Sequence, residues 1–163
     1  MCDTECKIVF CDVDGTLLTS KLEVLPGTLK AIGSLEKRGV PFIITSARGP
    51  AGIRPIFARY GFCCPIVAYS GVLIVDEEGA VLFSAGIAQK ETEAVISFVE
   101  DRQFDCTWNI YAGDMWLVKD RADPRVALEE RHRPRRLYTR KPCLRWQRRC
   151  AQNPFDVRPR CDP

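Results

Sequence analysis

At 163 residues, with 46% hydrophobic and 28% charged residues, the chain has an ordinary globular composition and enough length for one sizeable core plus an appendage. No apolar stretch approaches the roughly 20 residues of a membrane span, and Asp3 and Glu5 stand where a secretory leader would be basic, so the expected location is cytoplasmic. The net charge of +3 conceals two compositions: residues 1–130 carry 13 Lys and Arg against 19 Asp and Glu, a net of −6, whereas residues 131–163 carry 11 against 2, a net of +9.

The first element is an apolar run at residues 8–11 that ends on Asp12, Val13, Asp14, Gly15 and Thr16. Such a run predicts a fully buried strand of a parallel sheet, with the aspartates at its carboxyl end, where open α/β sheets bind ligands. In extended backbone, residues i and i+2 project to one side, so Asp12 and Asp14 can face a common pocket while Val13 points away. Two acids in one pocket can divide labour, one as nucleophile and hard-metal ligand, the other as general acid and base. The DVDGT motif with its preceding apolar run resembles the signature of haloacid dehalogenase-like hydrolases, mostly phosphatases that work through an aspartyl-phosphate with Mg2+.

Residues 17–24 correspond in that family to a short flap over the phosphoryl site. Pro26 then suits a first helical position, Leu25, Leu29, Ile32 and Leu35 recur at helical spacing and predict one apolar face, and Gly39 supplies a stop. A second apolar run, residues 41–45, ends at Ser46, Ala47, Arg48 and Gly49, with a helix after it whose start is left open by Pro55, expected in or near the first turn. A hydroxyl at Ser46 could bond a phosphoryl oxygen and Arg48 could offset its charge; in isolation, Ser46 could equally cap the following helix. The pattern resembles the Thr-Gly-Arg of Cof-type members, with Ala47 departing from Gly. Residues 65–69 predict a third parallel strand ending at Ser70 and Gly71, where Cof-type proteins carry Asn-Gly at the phosphate site. Residues 72–75 and 80–83 flank a turn at 76–79 and predict a hairpin.

Residues 86–89 read as a linker. Ala94, Val95, Phe98 and Val99 place an apolar face on a helix running to about Arg102, and residues 107–111 and 115–118 predict two strands joined by a turn at Gly113 and Asp114. Asp123 can cap a short helix entering at Pro124. This set resembles the start of the α/β cap that selects substrate in Cof-type hydrolases. From Arg131 the resemblance is expected to stop: ten arginines and five prolines without apolar periodicity predict a largely disordered basic tail, with an out-of-frame origin favoured over a nucleic-acid-binding role for Tyr138 and Trp146 among the arginines. The nine cysteines show no CxxC or zinc-ligand spacing, so Cys11 and the adjacent Cys63 and Cys64 are expected to be reduced core or near-core thiols.

The expected fold is therefore α/β: a partial Rossmann-like parallel sheet in residues 1–85, the beginning of a cap in 86–130, and a tail in 131–163. The resemblance implies Mg2+-dependent hydrolysis of a small phosphorylated metabolite. It makes Asp12 the nucleophile, Asp14 the general acid and base, both of them metal ligands, and Ser46, Arg48, Ser70 and Gly71 the phosphate contacts. No lysine-bearing third motif or acidic fourth motif can be placed, which implies truncation within the cap and impaired activity. The alternative is a non-catalytic relic or binding module with a basic tail.

Overall fold

The apolar run at residues 8–11 forms strand β1 (Val9–Asp12), which pairs in parallel with β2 (Phe42–Thr45) from Val9 opposite Phe42 to Asp12 opposite Thr45. The computed structural model describes residues 6–112, 115–132 and 137–139, in a chain that divides into two units, Met1–Gly86 and Ile87–Pro163.

In the first unit, helix α1 (Pro26–Lys37) connects β1 to β2, and helix α2 (Pro50–Tyr60) connects β2 to β3 (Ile66–Ala68), which continues the sheet in parallel. Parallel neighbours need such crossovers, and the two βα units supply them. Strands β4 (Leu73–Val75) and β5 (Val81–Ser84) then add antiparallel, giving the order β1-β2-β3-β4-β5. Ile44 of β2, between Cys11 and Ile66 in register, is fully buried, as are Ile53 of α2 and Ala68 of β3.

Three expectations need correction here. Strand β1 is not buried on both faces: among the described residues it has a partner on one side alone, and Phe10 is 58% exposed. An edge strand with one uncovered face alternates in burial however continuous its apolar run. Pro55 lies inside α2, not in its first turn, because Pro50 takes the first helical position after Gly49. Pro55 is on the exposed side, where the carbonyl deprived of an N–H partner can be hydrated. Leu25 precedes α1 and stays exposed.

The β4–β5 turn is closed by Asp76, whose Oδ1 accepts the Ala80 N–H at 2.7 Å. Gly79 sits at φ 91°, so any side chain there would be strained, and a Cβ would also push aside the end of the Arg54 side chain.

The second unit holds α3 (Gln89–Asp101), β6 (Asn109–Ala112), β7 (Met115–Val118), α4 (Pro124–His132) and β8 (Leu137–Thr139). Its sheet runs β6-β7-β8, antiparallel then parallel. Trp116 and Val118 on β7 and Val126 on α4 form its core; the Trp116 ring stacks on Tyr111 at 6.1 Å and its indole N–H donates to Asn109 Oδ1 at 2.9 Å. The Asp123 carboxylate accepts the Arg125 main-chain N–H at 2.8 Å at the entry to α4. Hydrogen bonds from the Arg125 side chain and backbone hold the Asp123 carboxyl below its ordinary range.

Strand β6 starts two residues later than the sequence suggests, at Asn109, leaving Trp108 to donate to Glu100 of α3 at 3.2 Å. The apolar face of α3 buries no residue fully: Val95 and Phe98 remain over half exposed, with Phe98 against the Phe104 ring and the Arg102 guanidinium. Within the stretch from Arg131, expected to be largely disordered, a few residues belong to elements. Helix α4 reaches His132, and residues 137–139 pair in parallel with residues 116–118. Leu137, Tyr138 and Thr139 are a β-prone triplet too short to register as a period among arginines, and β7 offers them a free edge. The turn at 113–114 and residues 140–163 lie outside the described residues. Among the described residues no helix is long and apolar enough to cross a membrane.

Candidate active site

Asp12 and Asp14 are both exposed at the carboxyl end of β1, while Val13 between them is fully buried. The turn that follows is fixed by main-chain bonds: Leu17 N–H donates to the Asp12 carbonyl at 3.0 Å and Leu18 N–H to the Val13 carbonyl at 2.9 Å, with Gly15 at φ 79°. Leu17 and Leu18 insert into the core and so anchor the far side of the turn. Residues 19–23 close into a small loop around Thr19, whose N–H reaches the Glu23 carbonyl at 2.9 Å and whose Oγ1 accepts from Lys21 and Glu23. Val24 N–H then donates to the Tyr60 hydroxyl at 3.1 Å, tying this flap to α2.

The ends of β2 and β3 are fastened to each other. Ser46 N–H donates to Val67, Ser70 N–H donates to the Ser46 carbonyl at 3.0 Å, and Tyr69 N–H donates to the Arg48 carbonyl at 3.2 Å. Ser46 is buried, and its Oγ accepts the Arg48 N–H at 3.0 Å, leaving its own hydrogen to donate. The capping alternative for Ser46 is overturned: α2 is preceded by Gly49, with no side-chain cap. Tyr69, Ser70 and Gly71 carry φ of 51°, 56° and 99°, three successive left-handed residues. The two that are not glycine cost about 1 kcal/mol each or more, strain of the kind that collects at functional turns.

Arg48, expected at a phosphoryl group, instead grips Asp14. Its Nε donates to Asp14 Oδ2 at 2.9 Å and its Nη2 to Oδ1 at 2.5 Å, a two-pronged pair with the Asp14 side chain 54% exposed and that of Arg48 16%. Among the described residues no cation lies within ion-pair distance of Asp12. The structure thus brings Asp12, Asp14, Ser46, Arg48, Ser70 and Gly71 to the ends of three adjacent parallel strands. No local pattern points to the Arg48–Asp14 pair, 34 residues apart in the chain, or to Thr45, which is level with Asp12. Counting strand residues back from both motifs could have signalled that register.

Asp12 and Asp14 offer hard oxygen donors of the kind Mg2+ takes, so the residues fit that ion in kind. Among the described residues no group of three or more His, Cys, Asp or Glu is placed to hold a metal.

Among the described residues Cys6, Cys11, Cys63, Cys64 and Cys106 are free thiols, with Cys64 buried but Cys63 exposed, its Sγ 3.3 Å from the Glu77 carbonyl oxygen. Burial pushes the Cys64 thiol up to about 12, and burial together with the nearby Asp12 charge raises Cys11. At about pH 8 the thiolate is the reacting form, so iodoacetamide should modify Cys63 rapidly and Cys64 slowly. Peptide mapping that finds equal rates in the folded protein would contradict this placement.

A strand order with two βα crossovers, an acidic pair at the first strand's carboxyl end and a hydroxyl at the second defines an α/β protein of Rossmann-like type. The family model described as haloacid dehalogenase-like hydrolase matches residues 9–145. The chain belongs to the haloacid dehalogenase-like hydrolases, and the match passes beyond Arg131, where the motifs alone had suggested it would end. A protein of Haemophilus influenzae named as a phosphatase is 39% identical over 85 residues, covering 52% of this chain and 32% of the relative. Pyridoxal phosphate phosphatase YbhA of Escherichia coli is 27% identical over 79 residues, 48% of this chain and 29% of that protein. The chain therefore spans about a third of the length of these relatives. Among solved structures, a haloacid dehalogenase-like hydrolase from Bacteroides thetaiotaomicron matches with TM-score 0.69 at 19% identity, over 83% of this chain and 52% of that one. A HAD/COF-like hydrolase from Plasmodium vivax matches with TM-score 0.66 at 22% identity, over 82% and 50%.

Proposed function

We propose that the chain carries the nucleophile-bearing part of a phosphomonoester hydrolase acting on a small phosphorylated metabolite. The observation that supports this reading most is the outward pairing of Asp12 and Asp14 around a buried Val13, beside the Ser46 hydroxyl. In this reading an Asp12 oxygen attacks phosphorus, forming an aspartyl-phosphate as the bond from phosphorus to the ester oxygen breaks. Asp14 gives its proton to the departing oxygen, then takes one from a water that attacks the aspartyl-phosphate, releasing inorganic phosphate and restoring Asp12. Ser46 donates to a phosphoryl oxygen, and the Ser70–Gly71 turn shapes the same end of the site. Mg2+, held by the Asp12 carboxylate and the Asp14 main-chain carbonyl, would offset the charge of the transferring group. That relatives are named as phosphatases adds to the reading.

The test is the dependence of hydrolysis on leaving group. A poor leaving oxygen needs protonation and a good one does not, so Asp14→Asn should cost an alkyl phosphate at least about tenfold more in kcat/KM than 4-nitrophenyl phosphate. An equal loss on both substrates would remove Asp14 from the proton-transfer role, and no turnover of either by the parent would count against the phosphatase reading itself.

A further inference from the structure

The fork of Arg48 on Asp14 has no part in the hydrolytic steps above, yet it occupies the group that must move a proton. Arg48 has little backbone freedom, since its N–H is bonded to Ser46 Oγ and its carbonyl to Tyr69 N–H. Its side-chain torsions are what remain free to change. Ser46 Oγ keeps a hydrogen to donate, so an oxyanion seated there arrives two residues from the guanidinium. A phosphoryl group presents a planar edge of two oxygens, as a carboxylate does, with greater charge, and a guanidinium binds either in the same two-pronged way.

We propose that Arg48 is a positioning residue that exchanges partners: with the site empty it holds the Asp14 carboxylate, and an incoming phosphoryl group draws the guanidinium away and frees Asp14. The role of Asp14 in this inference rests on the hydrolytic reading; the exchange itself does not. Seating of the anion and release of Asp14 are then one event, so the side chain that moves protons becomes available when a phosphate is in place. Linkage makes the relation reciprocal. If phosphate loosens the pair, loosening the pair must strengthen phosphate binding.

Inorganic phosphate is the probe, with the full 163-residue chain. The Arg48 Nε–H resonance, assigned by its loss in Arg48→Gln, should move on saturation with phosphate to the position it takes in phosphate-saturated Asp14→Asn. Calorimetry should show Asp14→Asn tightening phosphate by about fivefold, as expected for an exposed ion pair broken in favour of the ligand. In an Arg48→Gln background the same change should give less than about twofold, since only general repulsion between anion and carboxylate is then relieved. The resonance arm needs only the parent chain, and Arg48→Lys, which keeps the charge without the fork, replaces Arg48→Gln should the latter not fold. An Arg48 signal that stays in place at saturation, an Asp14→Asn gain of equal size in both backgrounds, or no phosphate binding by either parent or Asp14→Asn would each overturn the exchange. The hydrolytic reading fails separately, by Asp12→Asn retaining turnover, a result on which the position of Arg48 has no bearing.

Discussion

Asp12→Asn is expected to lower phosphate-ester turnover by at least about a thousandfold, since the alternative nucleophile, water, is neither positioned nor charged. Asp12 closes the pairing of β1 with β2, level with Thr45, and its side chain is exposed. The amide keeps the shape of the carboxylate and the backbone bonds are untouched, so stability should change by no more than about 0.5 kcal/mol, the usual range for surface substitutions. Turnover and unfolding therefore separate: the thermal midpoint stays near that of the parent while magnesium-dependent hydrolysis of an aryl phosphate is lost. Equal turnover by variant and parent would refute Asp12 as nucleophile. A large fall in the midpoint would instead give Asp12 a structural part that its exposure does not suggest.

What the chain reveals of this arrangement depends on range. Asp12, Asp14 and Gly15 lie within four residues, and the alternation that turns both acids outward around Val13 follows from strand geometry alone, so it is legible without tertiary information. The first βα connection is legible for the same reason, since Pro26 and Gly39 bracket α1 as helix termini require, whereas the start of α2 at Pro50 was obscured by the second proline at Pro55. Burial of β1 was misjudged because an apolar run says that a strand is apolar, not how many neighbours it has. The exposed side of Phe10 is set by strand order, which no local pattern carries. The Arg48–Asp14 pair was hidden for a related reason, since it depends on the parallel register of β1 with β2 and on the loop after β2 folding back to β3. Residues 137–139 mark the opposite limit. Three residues of β propensity set among arginines become a strand only because Trp116, Leu117 and Val118 present an open edge.

Magnesium should bind the chain weakly, with a dissociation constant in the millimolar range or above, and this should limit hydrolysis more than any defect in the Asp12 geometry. Mg2+ keeps several of its waters and requires near-octahedral oxygen coordination, so affinity rises with each fixed carboxylate it is offered. Of the two carboxylates at the end of β1, Asp14 already has both oxygens bonded to the Arg48 guanidinium. Counting that cation, the three side chains sum to roughly one negative charge, and the guanidinium itself repels a divalent ion. Titration calorimetry with MgCl2 and hydrolysis of a phosphate-ester panel measure the two consequences on the same sample. Submillimolar affinity together with turnover above about 1 per second, ordinary for an enzyme, would require a further acidic group to reach Asp12. Weak affinity that strengthens in Arg48→Gln would instead trace the deficit to the guanidinium, because that change restores a net charge of roughly minus two to the pair of aspartates.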